Sequence, residues 1–188
     1  VGARPITIYL RDEYRDLIPQ LEDGIKSFRR EIFGLPPVEI RRGAGAYICG
    51  EESAMLESLE GRRALPRHRP PYAAEVGLFG RPTLIHNVET LFFAAEILDR
   101  GAEWFQAFGR NGQHGIRHYS VSGRVADPGV KLAPQGITAR ELIDEYCGGM
   151  ADGHQFAAYL PGGASGGILP ASMADIPLDY GTLEQYGC

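Results

Sequence analysis

Residues 6–10, ITIYL, form an unbroken apolar run of β-branched and aromatic side chains, which predicts a buried strand. From residue 12 the period changes. Leu17, Leu21, Ile25, Phe28 and Ile32 recur at helical spacing and predict a helix over 12–33, stopped by Gly34 with Pro36 and Pro37 behind it. VEIRR at 38–42 predicts a second strand. Strand, helix, strand is a βαβ unit, with a right-handed crossover expected on a parallel sheet. A glycine-rich loop at 43–50 leads to a short helix over 51–60. Met55, Leu56 and Leu59 lie on one side of it and Gly61 ends it. Residues 62–83 are rich in proline and show no period. A long ordered loop is expected, of the kind that lines a site or an interface.

A third helix is predicted over 88–99. Asn87 is its N-cap, and Val88, Leu91, Phe92, Ala95 and Leu98 are its apolar stripe. EWFQAF continues it after Gly101, and Trp104, Phe105 and Phe108 read as core or inter-domain packing. GRNGQHG at 109–115 is the expected boundary between an α/β domain, 1–110, and a second domain, 111–188. In the second, RHYSVSGRV alternates as a strand, ADPG makes a tight turn and VKLA is a returning strand. A helix follows, with Thr138 and Glu141 as a capping box, Leu142, Ile143 and Tyr146 as its apolar side, and Gly148-Gly149 as its end. FAAYL is a further strand, followed by PGGASGG. Hairpin, crossing helix, strand is the order of a small β-grasp unit.

Composition narrows the function classes. A net charge of −5 over 188 residues argues against a general nucleic-acid surface. No apolar run approaches the ~20 residues that span a bilayer, so direct membrane insertion is not expected. Cys49, Cys147 and Cys188 form no C-x-x-C pair, so there is no local sign of a zinc or iron–sulfur site. Scattered thiols suit a reducing compartment such as the cytoplasm. VGARPITIYL carries no secretory signal and reads as the start of a fragment.

The chemistry centres on RGAGAYICGEESAMLESLEG, residues 42–61. Gly43 and Gly45 fit the dinucleotide pattern G-x-G-x-x-G, but Ile48 stands at its third glycine. Gly45 and Gly50 fit the spacing of the NTPase phosphate loop, but Glu51 and Glu52 replace its Lys and Ser/Thr. Both motifs use a helix N-terminus to attract an anion. Two carboxylates there already occupy the favourable potential and would repel a pyrophosphate by a few kcal/mol. Carboxylates accept hydrogen bonds from hydroxyl and amide donors instead, as on a ribose, a ribityl chain or a carboxamide. Glycines let a flat ring approach the backbone. The residues thus point to the sugar or ring end of a nucleotide. On spacing alone, a simpler role for Glu51 and Glu52, complementing the helix dipole on a solvated face, stays open.

GAGAYICGEESAMLESLEGRRALPRHRPPY together with VGLFGRPTLIHNVETL resembles the signature of the flavoprotein subunit of NADH dehydrogenases. The same module occurs in the flavin-bearing subunits of NAD-reducing hydrogenases and of NAD-dependent formate dehydrogenases. GEESAM, LPRHRPPY and GRPTLIHNVETL, with His86 where respiratory members usually have Asn, are most similar to the formate dehydrogenase beta subunit. The tail, from YSVSGRV to PGGASGGILP, is similar to the soluble-ligand-binding β-grasp domain of this family.

The resemblance implies a partial Rossmann-like FMN-binding domain followed by a β-grasp domain, with FMN bound and NAD(H) stacked on it. It places Tyr47, Gly50, Glu51 and Glu52 at the flavin and nicotinamide, Ile85, His86 and Asn87 along the flavin, and Arg69 and Tyr72 on the NAD side. It implies an earlier glycine-rich flavin loop and a C-terminal cysteine module for a [4Fe–4S] cluster in the full-length protein, neither within this stretch. The stretch alone is therefore expected to be colourless and inactive. FMN would connect two-electron NAD(H) to one-electron iron–sulfur carriers. The expected partners are other subunits, iron–sulfur subunits among them, of a formate dehydrogenase or NADH dehydrogenase. The function expected first is that of an NAD-dependent formate dehydrogenase; the flavoprotein subunit of a respiratory NADH:quinone oxidoreductase, that of an NAD-reducing hydrogenase and a non-catalytic assembly role are the alternatives. Arg67, His68 and Arg69 form a basic patch suited to NAD phosphates or to a subunit contact. His114 and His118 have metal-friendly spacing but read as part of a solvated boundary loop, and the loop around Ser165 looks like an anion nest, though the resemblance implies that it shapes a packing surface rather than binds a ligand.

Overall fold

The computed structural model describes residues 4–163 and 166–188. Contacts divide the chain into two compact units, Val1–His86 and Asn87–Cys188.

In the first unit, β1 (Ile6–Leu10) and β2 (Val38–Arg42) pair in parallel, in a register that runs from Ile6 opposite Val38 to Leu10 opposite Arg42. The helix between them is shorter than its apolar period suggests. Residues Asp12–Leu17 form a 3-10 turn with a kink at Tyr14, and α1 spans Ile18–Glu31. Pro19 explains the division. It has no N–H to donate and its ring would clash with the carbonyl four residues back, so it is tolerated only in a first turn. Within α1 no residue is buried, and Phe28 is well exposed.

The unit's buried residues lie around α2 (Glu52–Leu59). Ala54, Leu56 and, just ahead of the helix, Cys49 are almost wholly covered. Gly61, at a φ of 77°, ends the helix in the left-handed region as its position predicts. The proline-rich segment is ordered by its own hydrogen bonds. Gly77 N–H donates to Arg81 O at 2.8 Å, Thr83 N–H to Ala73 O at 2.9 Å and Leu78 N–H to Thr83 Oγ1 at 2.8 Å.

The second unit opens with α3 (Val88–Arg100) and α4 (Ala102–Gln106). Asn87 caps α3 as expected, its side chain accepting from Glu89 N–H at 2.9 Å. The predicted apolar stripe is not the buried side. Val88, Leu91, Phe92 and Leu98 are exposed, and the buried residue is Phe93. Phe93 lies 5.5 Å from the Phe105 ring and 6.4 Å from His118. One turn earlier Glu89 accepts from His118 N–H at 2.7 Å. The docked face is thus set by one aromatic and one carboxylate. Trp104 meets Phe108 edge-on at 5.3 Å within the same cluster.

β3 (Ile116–Val121) and β4 (Gly129–Pro134) form the expected antiparallel hairpin. Its connection is wider than the ADPG turn, covering residues 122–128. The reason is that Ala126 and Asp127 N–H donate to Gly149 and Cys147 carbonyls rather than across the hairpin. The capping box is complete. Glu141 N–H donates to Thr138 Oγ1 at 3.2 Å and Thr138 N–H to Glu141 Oε2 at 2.8 Å. The helix it starts is short, α5 (Ala139–Glu141), and widens into a π-turn over Leu142–Tyr146. Ala133, Ile137 and Leu142 form the core here, with Tyr119, Val121, Tyr146 and Leu178 packed around them. Thr138→Ala is expected to cost about 1 kcal/mol in thermal unfolding, because it removes one half of the box.

FAAYL contributes only β5 (Ala158–Tyr159), which pairs with β6 (Leu169–Pro170) and not with the hairpin. The described strands therefore make three two-stranded sheets.

Candidate functional site

The glycine loop begins as an extension of the sheet, with Gly43 N–H donating to Leu10 O at 2.7 Å. It then tightens into a 3-10 turn over Tyr47–Gly50. Glu51 is extended, at φ −74° and ψ 130°, and is the N-cap of α2. Its Oε2 accepts from Ser53 N–H at 3.0 Å, Ala54 N–H at 2.9 Å and Ser53 Oγ–H at 2.5 Å. A side chain that reaches back in this way satisfies N–H groups that have no partner inside the helix. The helix-complementing role left open by spacing is therefore real for Glu51.

It is only half of the arrangement. The other oxygen, Glu51 Oε1, is ion-paired with Arg69 Nη2, and the same nitrogen lies 2.9 Å from Glu52 Oε1. One guanidinium thus bridges both carboxylates. Burial pushes the Glu51 carboxyl up. The Ser53 hydroxyl, the Ala54 and Ser53 N–H groups and Arg69 outweigh that and hold it below the usual carboxylate range. Glu51 is ionised at neutral pH and carries acceptor capacity at a half-buried helix cap.

Arg67 has a different place. It lies 2.5 Å from Glu57 Oε1 and 2.9 Å from Glu60 Oε1, and donates to Gly77 O at 3.2 Å. Its N–H donates to Ser53 Oγ at 2.8 Å. Arg62 joins the same two glutamates. The basic stretch 67–69 is therefore not a free positive wall, since two of its members are already paired with carboxylates. Arg67 ties the proline-rich loop to α2, and Ser53 links that loop to the Glu51 cap. Sequence reasoning missed Ser53, Glu57 and Glu60. Their only trace is a row of acidic residues on α2 facing arginines several positions downstream.

The remaining predicted residues are more dispersed. Tyr47 is 82% exposed at the tip of the turn. Gly50 is exposed, and no atom lies within 4 Å of where a Cβ would be. Gly43 has no such space, because a Cβ there would collide with the Tyr9 ring. The flat ring that packs on this glycine is therefore the chain's own. Tyr72 is exposed, Ile85 half-buried and His86 exposed. Among the described residues no hydrogen bond joins these three to the Glu51–Glu52–Arg69 group. Asn87 belongs to the second unit, where its side chain caps α3. The structure thus brings together Glu51, Glu52 and Arg69, with Tyr47 and Gly50 on the 3-10 turn that precedes them in the chain.

In the second unit His118 lies in β3 rather than in a loop, its Nδ1 2.8 Å from Glu89 Oε1. His114 Nδ1 is 3.3 Å from Gln106 O. No cluster of metal-ligating side chains occurs among the described residues. Cys49 and Cys147 are buried free thiols. A cavity of about 260 Å³ is lined by Arg117, Tyr119, Asp179 and Tyr180 among others, and by none of the predicted site residues. Ser165, of the suggested anion nest, lies outside the described residues. No helix among the described residues is long and apolar enough to cross a membrane.

Comparison with known proteins connects this geometry to a group. The chain is 41% identical over 196 residues to an NADH-quinone oxidoreductase subunit of Rhizobium meliloti (strain 1021), a match that covers all of this chain and 47% of that protein. It is 45% identical over 189 residues to an NADH-quinone oxidoreductase subunit of Escherichia coli (strain K12), covering 96% of this chain and 42% of that one. The chain spans less than half the length of these curated relatives. Its fold matches a chain of the NAD+-reducing [NiFe]-hydrogenase in the H2-reduced state, with a TM-score of 0.84 and 39% identity, over 96% of this chain and 31% of that one. The chain is thus a mixed α/β structure similar to part of that hydrogenase chain. Residues 1–96 match the Nuo51 FMN-binding domain, and the chain belongs to that family.

Proposed function

We propose that this chain is part of an electron-transfer oxidoreductase subunit that binds FMN and NAD(H) and passes electrons to iron–sulfur carriers. The observation that carries the reading is the half-buried Glu51–Glu52 pair, bridged by Arg69 beside the open face of Gly50, in a chain of the Nuo51 FMN-binding family. The donor set fits the ligand chemistry. Carboxylates accept from ribose, ribityl and carboxamide donors, Tyr47 offers an exposed aromatic face, and Gly50 leaves room for a ring. FMN, once bound, supplies the conversion between a two-electron hydride and single electrons. The chain's own residues bind, orient and exclude.

In this reading Tyr47, Gly50, Glu51 and Glu52 hold the flavin and nicotinamide ends. Ile85, His86 and Asn87 run along the flavin, and Arg69 and Tyr72 line the NAD side. Residues 1–110 form part of a Rossmann-like flavin domain and 111–188 a β-grasp domain. The βαβ start and the hairpin-then-helix order support those assignments. The partners are other subunits of a cytoplasmic redox assembly, and a [4Fe–4S] cluster belongs to the full-length protein.

The relatives are named as NADH-quinone oxidoreductase subunits and the structural neighbour as an NAD+-reducing hydrogenase. That favours a subunit of this respiratory or hydrogenase type. A formate dehydrogenase setting is the second reading, and it rests on the resemblance carried by GEESAM, LPRHRPPY and GRPTLIHNVETL, with His86 within the last of these. The two are separated by purifying the full-length protein with its natural partners. Co-purification of a formate-oxidising subunit, with formate-dependent NAD+ reduction, supports the second reading alone.

The electrostatics give a pH test. Arg69 lowers the Glu51 pKa, so its removal raises that pKa. A function that needs ionised Glu51 is lost as pH falls through the folded pKa. In the full-length protein Arg69→Gln is therefore expected to move the acid limb of the NADH-oxidation profile to higher pH. An unmoved limb would separate Glu51 ionisation from turnover.

A further inference from the structure

We infer that Tyr9 is a positioning residue for the flavin loop, acting through a hydrogen-bonded link from β1 to α2; the inference rests on the flavin reading proposed above. Tyr9 lies on β1 opposite Arg41 of β2 and is half-buried. Its ring covers Gly43, filling the space a side chain would need. Its hydroxyl donates to Ser58 Oγ on α2 at 2.9 Å and accepts from Ala44 N–H at 3.2 Å. One phenol therefore ties together the first strand, the start of the glycine loop and the last turn of the helix.

The consequence is geometric. Between Ala44 and Ser58 lie the 3-10 turn Tyr47–Gly50 and the cap Glu51, the residues proposed to meet the ligand. The loop carries glycines at 43, 45 and 50, so its backbone has unusual freedom. Fixing both ends reduces the number of shapes it samples, and preorganisation of this kind raises affinity by lowering the ordering cost of binding. Tyr9 need not touch the ligand. Burial raises the phenol's pKa, so at neutral pH it stays protonated and keeps its donor role toward Ser58.

The test uses the full-length protein. Tyr9→Phe retains the ring over Gly43 and removes only the hydroxyl. Its expected effect is a rise of about tenfold in the FMN dissociation constant, measured by quenching of flavin fluorescence, with little change in Tm. Ser58→Ala breaks the helix end of this link and leaves the Ala44 bond in place, so it is expected to give a smaller rise in the same direction. The double variant should be no worse than Tyr9→Phe alone, because the hydroxyl's removal already takes away the Ser58 link along with the Ala44 one. Hydrogen exchange gives a readout independent of flavin, with the 43–50 amides expected to exchange faster in Tyr9→Phe than in the wild type. Unchanged exchange and a dissociation constant within about twofold of wild type would overturn the inference, as would additive effects of the two substitutions. Wild-type protein that binds no FMN would instead overturn the functional reading, and the exchange result would still decide whether Tyr9 fixes the loop.

Discussion

Glu51→Ala is expected to abolish flavin-dependent NADH oxidation in the full-length protein, with activity falling by two orders of magnitude or more. Three losses coincide at this residue. The helix loses its cap, since Glu51 Oε2 accepts from two backbone N–H groups and the Ser53 hydroxyl. Removing a cap costs about 1 kcal/mol. Arg69 loses one of its two carboxylate partners and is left to Glu52 alone. The ligand loses an ionised acceptor, and a hydrogen bond to a charged group is worth about 1.5–3 kcal/mol. Glu51→Gln separates these losses. It keeps an oxygen able to cap but removes the charge, so stability is expected to recover more than activity does. Measuring Tm and turnover on both variants checks the division. Equal recovery of the two would show that Glu51 serves the helix only.

The depressed Glu51 pKa also sets a direction for stability. Its folded-state value lies below the unfolded one, so its contribution is fully present above the ordinary glutamate pKa. That contribution is lost as pH falls through the folded value. The Tm of wild type and of Glu51→Gln should therefore converge in acid.

Leu56→Ala is the substitution with the largest expected effect on folding of the first unit. Leu56 is 1% exposed, and Ala54 and Cys49 are the other well-covered apolar side chains on and beside α2. Deleting a buried leucine side chain loses its transfer free energy and leaves a cavity, a cost of about 2–5 kcal/mol. With so few buried apolar residues in the unit, a value near the upper part of that range, about 4 kcal/mol, is expected. The Glu51–Glu52 pair sits on the same helix, so flavin retention should fall together with stability. Thermal unfolding followed alongside bound flavin checks this. A Tm close to wild type would show that α2 is not the support of the loop.

What the chain made legible were features written in adjacent residues. Asn87 before α3, the Thr138–Glu141 box and Gly61 after α2 each specify a local backbone geometry, and each is realised. β1, β2 and the hairpin followed from apolar pattern. The failures came where distant contacts decide. The widest apolar stripe of α3 predicts its buried face, yet Glu89 and Phe93 make the contact, because their partner is His118 on β3. The residues 156–160 have the composition of a strand, but only Ala158 and Tyr159 find a paired neighbour.

The site shows the same division. Glu51 and Glu52 stand out because they replace the basic and hydroxyl residues of a phosphate loop. Their counter-ion does not stand out, since Arg69 reaches them across a proline-rich segment with no periodicity to read. The glycines marked a place for a flat ring, but only the structure shows that Tyr9 fills the position at Gly43 while Gly50 remains open. A loop with the look of an altered phosphate site is thus held at three points, by Tyr9, by Ser53 and by Arg69.

The most direct measurement is the visible spectrum of the purified full-length protein after loading with FMN, followed by anaerobic addition of NADH. The predicted result is a retained flavin band that bleaches on NADH addition, in near one-to-one proportion to protein, and that is neither retained nor bleached in Glu51→Ala. A protein that holds no flavin, or one whose bound flavin NADH leaves oxidised, would contradict the account.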